Sequence, residues 1–290
     1  MSGIRRILFP INFVRGDEVL QPTVRRMIEA WEAEVTLLHV IPRNQWLARK
    51  FDLERLMAQM RAIAGRGLDT TQIRCRLESG EPGERIVEHV VAHQIGLVVM
   101  SAGGSDSSYG RPIGPVADRV LNEAACPVWL DWGTARSRSS AGMYALQVAC
   151  ALLQNEADEY ILRQAAEMTD QLQAGLLVVQ AIPQSAGEPV ILYRDPPIRG
   201  RSVQSARART ERLRRRYCPA ADIRVERGPH RTVLSRVLKT HETGLLVTGN
   251  VREAILAAES ECPVLRLSAP AAAAVPIDEP VYEMAARRSA

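Results

Sequence analysis

Apolar residues along the chain alternate between two periods, and that alternation sets the expected fold class. Arg5 to Phe13 is a nearly continuous apolar run, which predicts a buried strand. Asp17 then stands as a helix N-cap ahead of Leu20, Val24, Met27, Ile28 and Trp31, which share one helical face. Glu34 to Ile41 predicts the second strand, Phe51 to Ala64 a helix and Thr71 to Leu77 a third strand. Pro82 to Gln94 follows as a helix with Ile86, Val87, Val90 and Val91 turned inward, and Ile95 to Met100 as a strand apolar throughout. Pro115 to Ala124, with proline in its first turn, predicts another helix, and Pro127 to Trp132 closes the unit. Strands alternating with helices build a parallel, doubly wound α/β sheet covered on both faces.

The pattern then starts again. Leu37-Leu38-His39-Val40-Ile41-Pro42 returns as Val178-Val179-Gln180-Ala181-Ile182-Pro183, and Gly96-Leu97-Val98-Val99-Met100 as Gly244-Leu245-Leu246-Val247-Thr248. Cys126-Pro127-Val128 recurs as Cys262-Pro263-Val264, with the order kept throughout. The expectation is two tandem domains, residues 1–134 and 142–268, that pack as a pseudo-dimer. The Ser-, Arg- and Gly-rich stretch from Gly133 to Gly142 reads as a linker. The Ala/Pro-rich tail 269–290 is expected to be disordered.

Composition narrows the function classes. The 46% hydrophobic and 24% charged residues exclude a disordered or collagen-like chain, and 4% aromatics leave the core to Val, Leu, Ile and Ala. A formal net charge of +4 is too small to argue for nucleic acid. The five cysteines are odd in number and never form C-x-x-C, so they read as reduced thiols rather than a disulfide framework or zinc site. No apolar run approaches the roughly 18 residues of a membrane span. The expected location is the cytoplasm.

In doubly wound sheets, ligands bind outside the carboxyl ends of the strands, where strand order switches. The loop after the fourth strand is glycine-rich: Gly103, Gly104, Gly110 and Gly114 precede the helix that begins at Pro115. Such a loop lets backbone amides approach an anion at a helix N-terminus, although glycine-rich turns are also common for structural reasons. In the second half Thr248-Gly249-Asn250 runs straight into Val251, so nearly all of the counterpart of Ser101 to Ile113 is missing.

Ile7-Leu8-Phe9-Pro10, Leu38-His39-Val40, Gly80-Glu81-Pro82, Leu97-Val98-Val99-Met100, the glycine loop and Cys126-Pro127-Val128 together resemble the universal stress protein family. The likeness covers Arg5 to Trp132 and, more faintly, Met143 to Leu267. It implies an adenine nucleotide alpha hydrolase-like, Rossmann-like fold, dimer-like packing through the last strand and, as in some members, ATP or AMP as cofactor. Those nucleotide-binding members carry G-x-x-G, nine residues, then G followed by Ser or Thr. This chain keeps the spacing, with Ser101-x-x-Gly104, nine residues and Gly114, but has Ser101 for the first glycine and Pro115 for the hydroxyl residue. Ser101 adds a Cβ, and Pro115 removes both a hydroxyl and an N–H. The family's acidic residue after the first strand is Asn12 here. The resemblance thus implies a weakened site with Asn12 and Val40 at the nucleoside, the amides around Ser101, Gly104 and Gly114 at the phosphates, and Arg111 assisting.

Other constellations carry less. His89 and His93 lie four apart on a predicted helix, but without a third ligand they read as a solvated face and no metal is expected. His39, His230 and His241 have no Ser or Cys partner in sequence, so no catalytic residue is identified. The arginines from Arg199 to Arg216 read as a solvated helix face rather than a nucleic-acid surface. The reading is a non-enzymatic stress-response or regulatory protein whose partners are itself, in the pseudo-dimer or a homodimer, and proteins of unknown identity. The alternative is a nucleotide-free protein–protein interaction module.

Overall fold

The computed structural model describes residues 4–13, 22–44, 53–64, 73–102, 113–131, 147–182, 203–241, 243–259 and 262–268. In the first half these form β1 (Arg6–Pro10), α1 (Pro22–Trp31), β2 (Glu34–Ile41), α2 (Leu53–Ala64), β3 (Ile73–Ser79), α3 (Pro82–Ala92), β4 (Leu97–Ser101), α4 (Pro115–Glu123) and β5 (Val128–Asp131). The second half repeats the order: β6 (Gln147–Leu152), α5 (Ala157–Leu172), β7 (Gly175–Ile182), α6 (Val203–Tyr217), β8 (Asp222–Arg227), α7 (His230–Thr240), β9 (Leu245–Thr248), α8 (Val251–Glu259) and β10 (Val264–Arg266). Expected features at Asp17, Leu20 and Phe51, the linker and the tail 269–290 lie outside the described residues.

The described strands form one ten-stranded sheet ordered β3-β2-β1-β4-β5-β10-β9-β6-β7-β8. Pairing is parallel within each half and antiparallel only at the seam, where Leu265 of β10 lies opposite Trp129 of β5. Strand order therefore switches twice, between β1 and β4 and between β6 and β9.

Successive side chains of a strand point to opposite faces, and both faces are apolar because helices cover both. Ile7, Phe9, Val35, Leu37, Leu97 and Val99 pack under α1 and α2, in one cluster with Val148, Cys150 and Val178 under α5. Leu8, Leu38, Val98 and Val128 pack on the other side under α3 and α4, continuous with Ala149, Leu177 and Leu246 under α7 and α8. Trp31 adds a polar link across the halves, its indole N–H donating to Gln171 Oε1 at 2.8 Å.

The two edge strands carry outward arginines, Arg74 and Arg76 on β3 and Arg224 and Arg227 on β8. Charge at an edge discourages pairing with another chain.

One helix end departs from expectation, and its cause recurs after two other helices. Glu32, Gln94 and Gln173, at φ 49°, 51° and 53°, take the left-handed turn after α1, α3 and α5 that glycine usually supplies. Without a glycine signal, α3 is overextended by the periodicity: it ends at Ala92, and Val91 is 67% exposed rather than inward.

Candidate functional site

The carboxyl edge of the first half brings together most of the expected residues. Pro10 pairs with Leu38 and Leu8 with Val98, so Asn12 comes level with Val40 on one side and the end of β4 lies on the other. The Ile11 amide continues the ladder to Leu38 O at 2.9 Å. Asn12 is exposed, Val40 is buried in the α3/α4 layer and Ser101 is the exposed last residue of β4. Gly114 is the N-cap of α4 and stands at the same edge through its amide bond to Ala102 O, 3.0 Å. Gly104 and Arg111 lie outside the described residues.

That bond corrects one expectation. The Gly114 amide closes the turn between β4 and α4, so it is already engaged rather than aimed at a phosphate. Pro115 follows at the first helical position with no N–H to give, and the N-cap Gly114 has no side chain to cap the helix. The amides of Val116 and Ala117 are the first-turn donors that have no intrahelical acceptor.

His39, which has no Ser or Cys partner in sequence, also belongs to this edge. His39 points to the opposite face from Val40, and its Nδ1 lies 2.9 Å from Ile11 O. A carbonyl only accepts, so Nδ1 carries the proton and Nε2 is left as an acceptor. Burial holds the His39 pKa below its ordinary value, with the carbonyl bond opposing that shift. The ring of Phe13 packs at 4.7 Å from it, tilted by 56°. The signal was present in Leu38-His39-Val40, where strand alternation turns the central residue away from its neighbours.

Gly80-Glu81-Pro82 is structural rather than ligand-binding. Gly80 takes φ +153°, and its amide donates to Ile41 O at 3.0 Å. Glu81 then caps α3 by accepting from the amides of Gly83 (3.1 Å) and Glu84 (2.7 Å). Arg119 of α4 donates to the same carboxylate at 2.7 Å and also to Glu123, joining the two helices. Gly83 leaves the room, because a Cβ there would come within 2.9 Å of Arg119 Cδ. Burial raises the Glu81 pKa, but the two amides and Arg119 outweigh it and the net shift is downward. Its stabilising contribution is therefore present above the ordinary glutamate range and lost as pH falls through the depressed value. Glu81→Ala should cost about 1 kcal/mol, read as a lower denaturation midpoint at pH 7 that converges on wild type in acid.

In the second half the corresponding edge is filled by its own side chains. Asp158, fully buried at the start of α5, accepts from the Leu153 amide at 2.8 Å and pairs with Arg209 of α6. Arg209 also reaches Asn155 O at 2.8 Å, and Asn155 Oδ1 accepts from the Ala157 amide at 3.1 Å. Burial pushes the Asp158 carboxyl above the usual carboxylate range against these bonds. At the end of β9, Thr248 donates to the buried carboxylate of Glu253, which also pairs with His230. Burial disfavours the charged imidazole, but Glu253 outweighs it and raises the His230 pKa. At Gly249 a Cβ would meet Ile161 Cδ1, so a side chain there would require Ile161 to move.

The remaining candidates resolve into packing. His89 is buried, not on a solvated face as expected: its Nδ1 bonds Glu78 Oε1 at 2.8 Å and its ring lies 4.1 Å from that of His93. Its carboxylate partner on β3 is what makes burial of the ring tolerable. Among the described residues no group of three or more His, Cys, Asp or Glu is placed to hold a metal. The five cysteines are free, and burial raises the pKa of Cys126 and Cys218 to about 11, which suppresses the reactive thiolate. Of the α6 arginines, Arg214 and Arg215 share Glu211, Arg216 lies 3.7 Å from Glu159, and Arg209 is the half-buried partner of the buried Asp158. No described helix is long and apolar enough to cross a membrane.

Residues 3–130 match the family model described as the universal stress protein family. No curated protein matches the chain. Among solved structures, a functionally unknown protein from Pseudomonas aeruginosa PAO1 is similar over 92% of this chain and 93% of its own, at 16% identity and a TM-score of 0.60. A universal stress protein from Archaeoglobus fulgidus DSM 4304 is similar over 92% of this chain and 97% of its own, at 14% identity and a TM-score of 0.56. At these identities the likeness speaks to the fold, which extends over both halves. Residues 3–130 of this chain accordingly belong to the universal stress protein family, and the second half repeats their doubly wound fold.

Proposed function

We propose that the chain is a non-enzymatic regulatory protein of the stress response, with a weakened ATP or AMP site in its first half and a second half that serves as structural partner. The units are residues 1–134 and 142–268, followed by the tail 269–290. In the first half Asn12 and the backbone of Val40 face the nucleoside, with His39 at the same edge. The loop from Ser101 through Gly104 and Arg111 faces the phosphates, and Gly114 closes it onto α4.

The contrast between the two carboxyl edges carries this reading. Asn12, Val40 and Ser101 converge on an edge where His39 keeps an acceptor, whereas the second half plugs its own edge with Asp158–Arg209 and buries the Glu253 carboxylate beside β9. In the Thr248, Glu253 and His230 group the carboxylate stands between hydroxyl and imidazole. The histidine is therefore not placed to take the threonine proton, which argues against nucleophilic catalysis. The free thiols fit a reducing compartment, and we place the protein in the cytoplasm.

Mass spectrometry of small molecules released from the denatured full chain, followed by calorimetric titration with ATP and AMP, tests the proposal. One nucleotide per chain is expected, bound about a hundredfold more weakly than by an intact motif. No binding at millimolar nucleotide would sink this reading. It would leave the interaction module, which the engaged Gly114 amide and Pro115 favour.

A further inference from the structure

We infer that Arg266 and Ser268 make the seam between the halves selective, so that the β5/α4 edge of the first half accepts this chain's own second half and disfavours a second copy of itself. The helix α4 ends with no basic residue in its last turn. Its terminal carbonyls therefore lack the positive charge that helix C-termini favour.

That charge arrives from the other half. Arg266, nearly buried on β10, donates through Nη2 to Leu121 O and to Ala124 O at 3.1 Å. Its Nη1 donates to Ser268 Oγ. The Ser268 hydroxyl lies 3.3 Å from Ala124 O and 3.2 Å from Cys126 O, so both residues address the segment that joins α4 to β5.

The internal repeat shows what another partner would bring. Cys126-Pro127-Val128 corresponds to Cys262-Pro263-Val264, so the counterpart of Arg266 is Leu130 and that of Ser268 is Trp132. The seam is antiparallel, with Arg266 opposite Val128 and Val264 opposite Leu130 about the central pair Leu265 and Trp129. A second copy of the first half docked about the same axis would place Leu130 where Arg266 now stands. The carbonyls of Leu121 and Ala124 would then face an isobutyl group instead of a guanidinium, and buried acceptors without donors are costly.

The test uses the full-length chain and the variants R266L, R266K and S268A. Hydrogen exchange is followed at the amides of β5, β10 and the end of α4. Mixing of two copies, labelled with donor or acceptor on the first half, is followed by energy transfer. R266L, which installs the first-half residue, is expected to speed exchange at the seam about tenfold and to produce transfer between first halves. Wild type should show no such transfer, and R266K, which keeps the charge, should recover most of the protection. Exchange in R266L equal to that of wild type overturns the inference, as does wild-type transfer equal to that of R266L. If R266L does not fold, S268A decides: about threefold faster exchange at the seam supports the selectivity and unchanged exchange overturns it.

Discussion

Restoring glycine at position 101 and serine at position 115 together should strengthen adenine-nucleotide binding by about a hundredfold or more, as measured by calorimetry on the full chain. Pro115→Ser returns two donors to the first turn of α4, a backbone N–H and a hydroxyl, at the end where the helix favours negative charge. Ser101→Gly removes a Cβ at the last residue of β4, where backbone and phosphate must approach closely. Charge-assisted bonds are worth about 1.5 to 3 kcal/mol each, and two of them set the size of the gain. The Gly114 amide stays with Ala102 O, so it adds nothing to the gain. Unchanged affinity in a double variant that melts like wild type would show that this loop does not meet phosphate.

The largest stability effect is expected at the plug in the second half. Arg209→Met deprives the fully buried Asp158 carboxyl of its cationic partner, a change that costs about 3 to 5 kcal/mol. For a protein of this length the midpoint should fall on the order of 10 °C. The pH dependence identifies the cause. Burial already raises the Asp158 pKa, and loss of Arg209 raises it further. A carboxyl with a raised folded pKa contributes stability that is present below its ordinary value and is lost as pH rises through the folded one. Lowering the pH from 7 to 5 should therefore restore part of the variant's midpoint, relative to wild type over the same interval. Replacing both partners, as D158N with R209M, should come closer to wild type than R209M alone. A midpoint deficit in R209M that is the same at both pH values would show that lost packing, not a stranded charge, is responsible.

Much of this architecture is visible in the residues themselves because its causes are local. Apolar runs such as Leu97 to Met100 announce strands covered on both faces, and the recurrence of Cys-Pro-Val marks the two closing strands that meet at the seam. What escapes a linear reading depends on distant partners. His89 looks like a solvated helix residue until β3 brings Glu78 beside it. Arg209 looks like one more arginine in a basic run until α6 packs against α5 and presents it to Asp158. The engaged Gly114 amide and the Ile11 bond to His39 depend on how a loop folds back on its own strand, which periodicity does not encode. The end of α3 differs from the periodic pattern where Gln94 takes the turn reserved elsewhere for glycine.

The seam has a consequence for how the assembly behaves on dilution. Two separate subunits that meet edge to edge come apart as their concentration drops, and any property that depends on their pairing fades with it. Here β5 and β10 belong to one polypeptide, joined through the segment between Asp131 and Gln147, so each finds the other at a local concentration fixed by chain length, on the order of millimolar. Pairing then survives at the scarcest expression level. On the proposed reading, a second half without a nucleotide site would still serve by keeping the first half dimer-like, one molecule at a time.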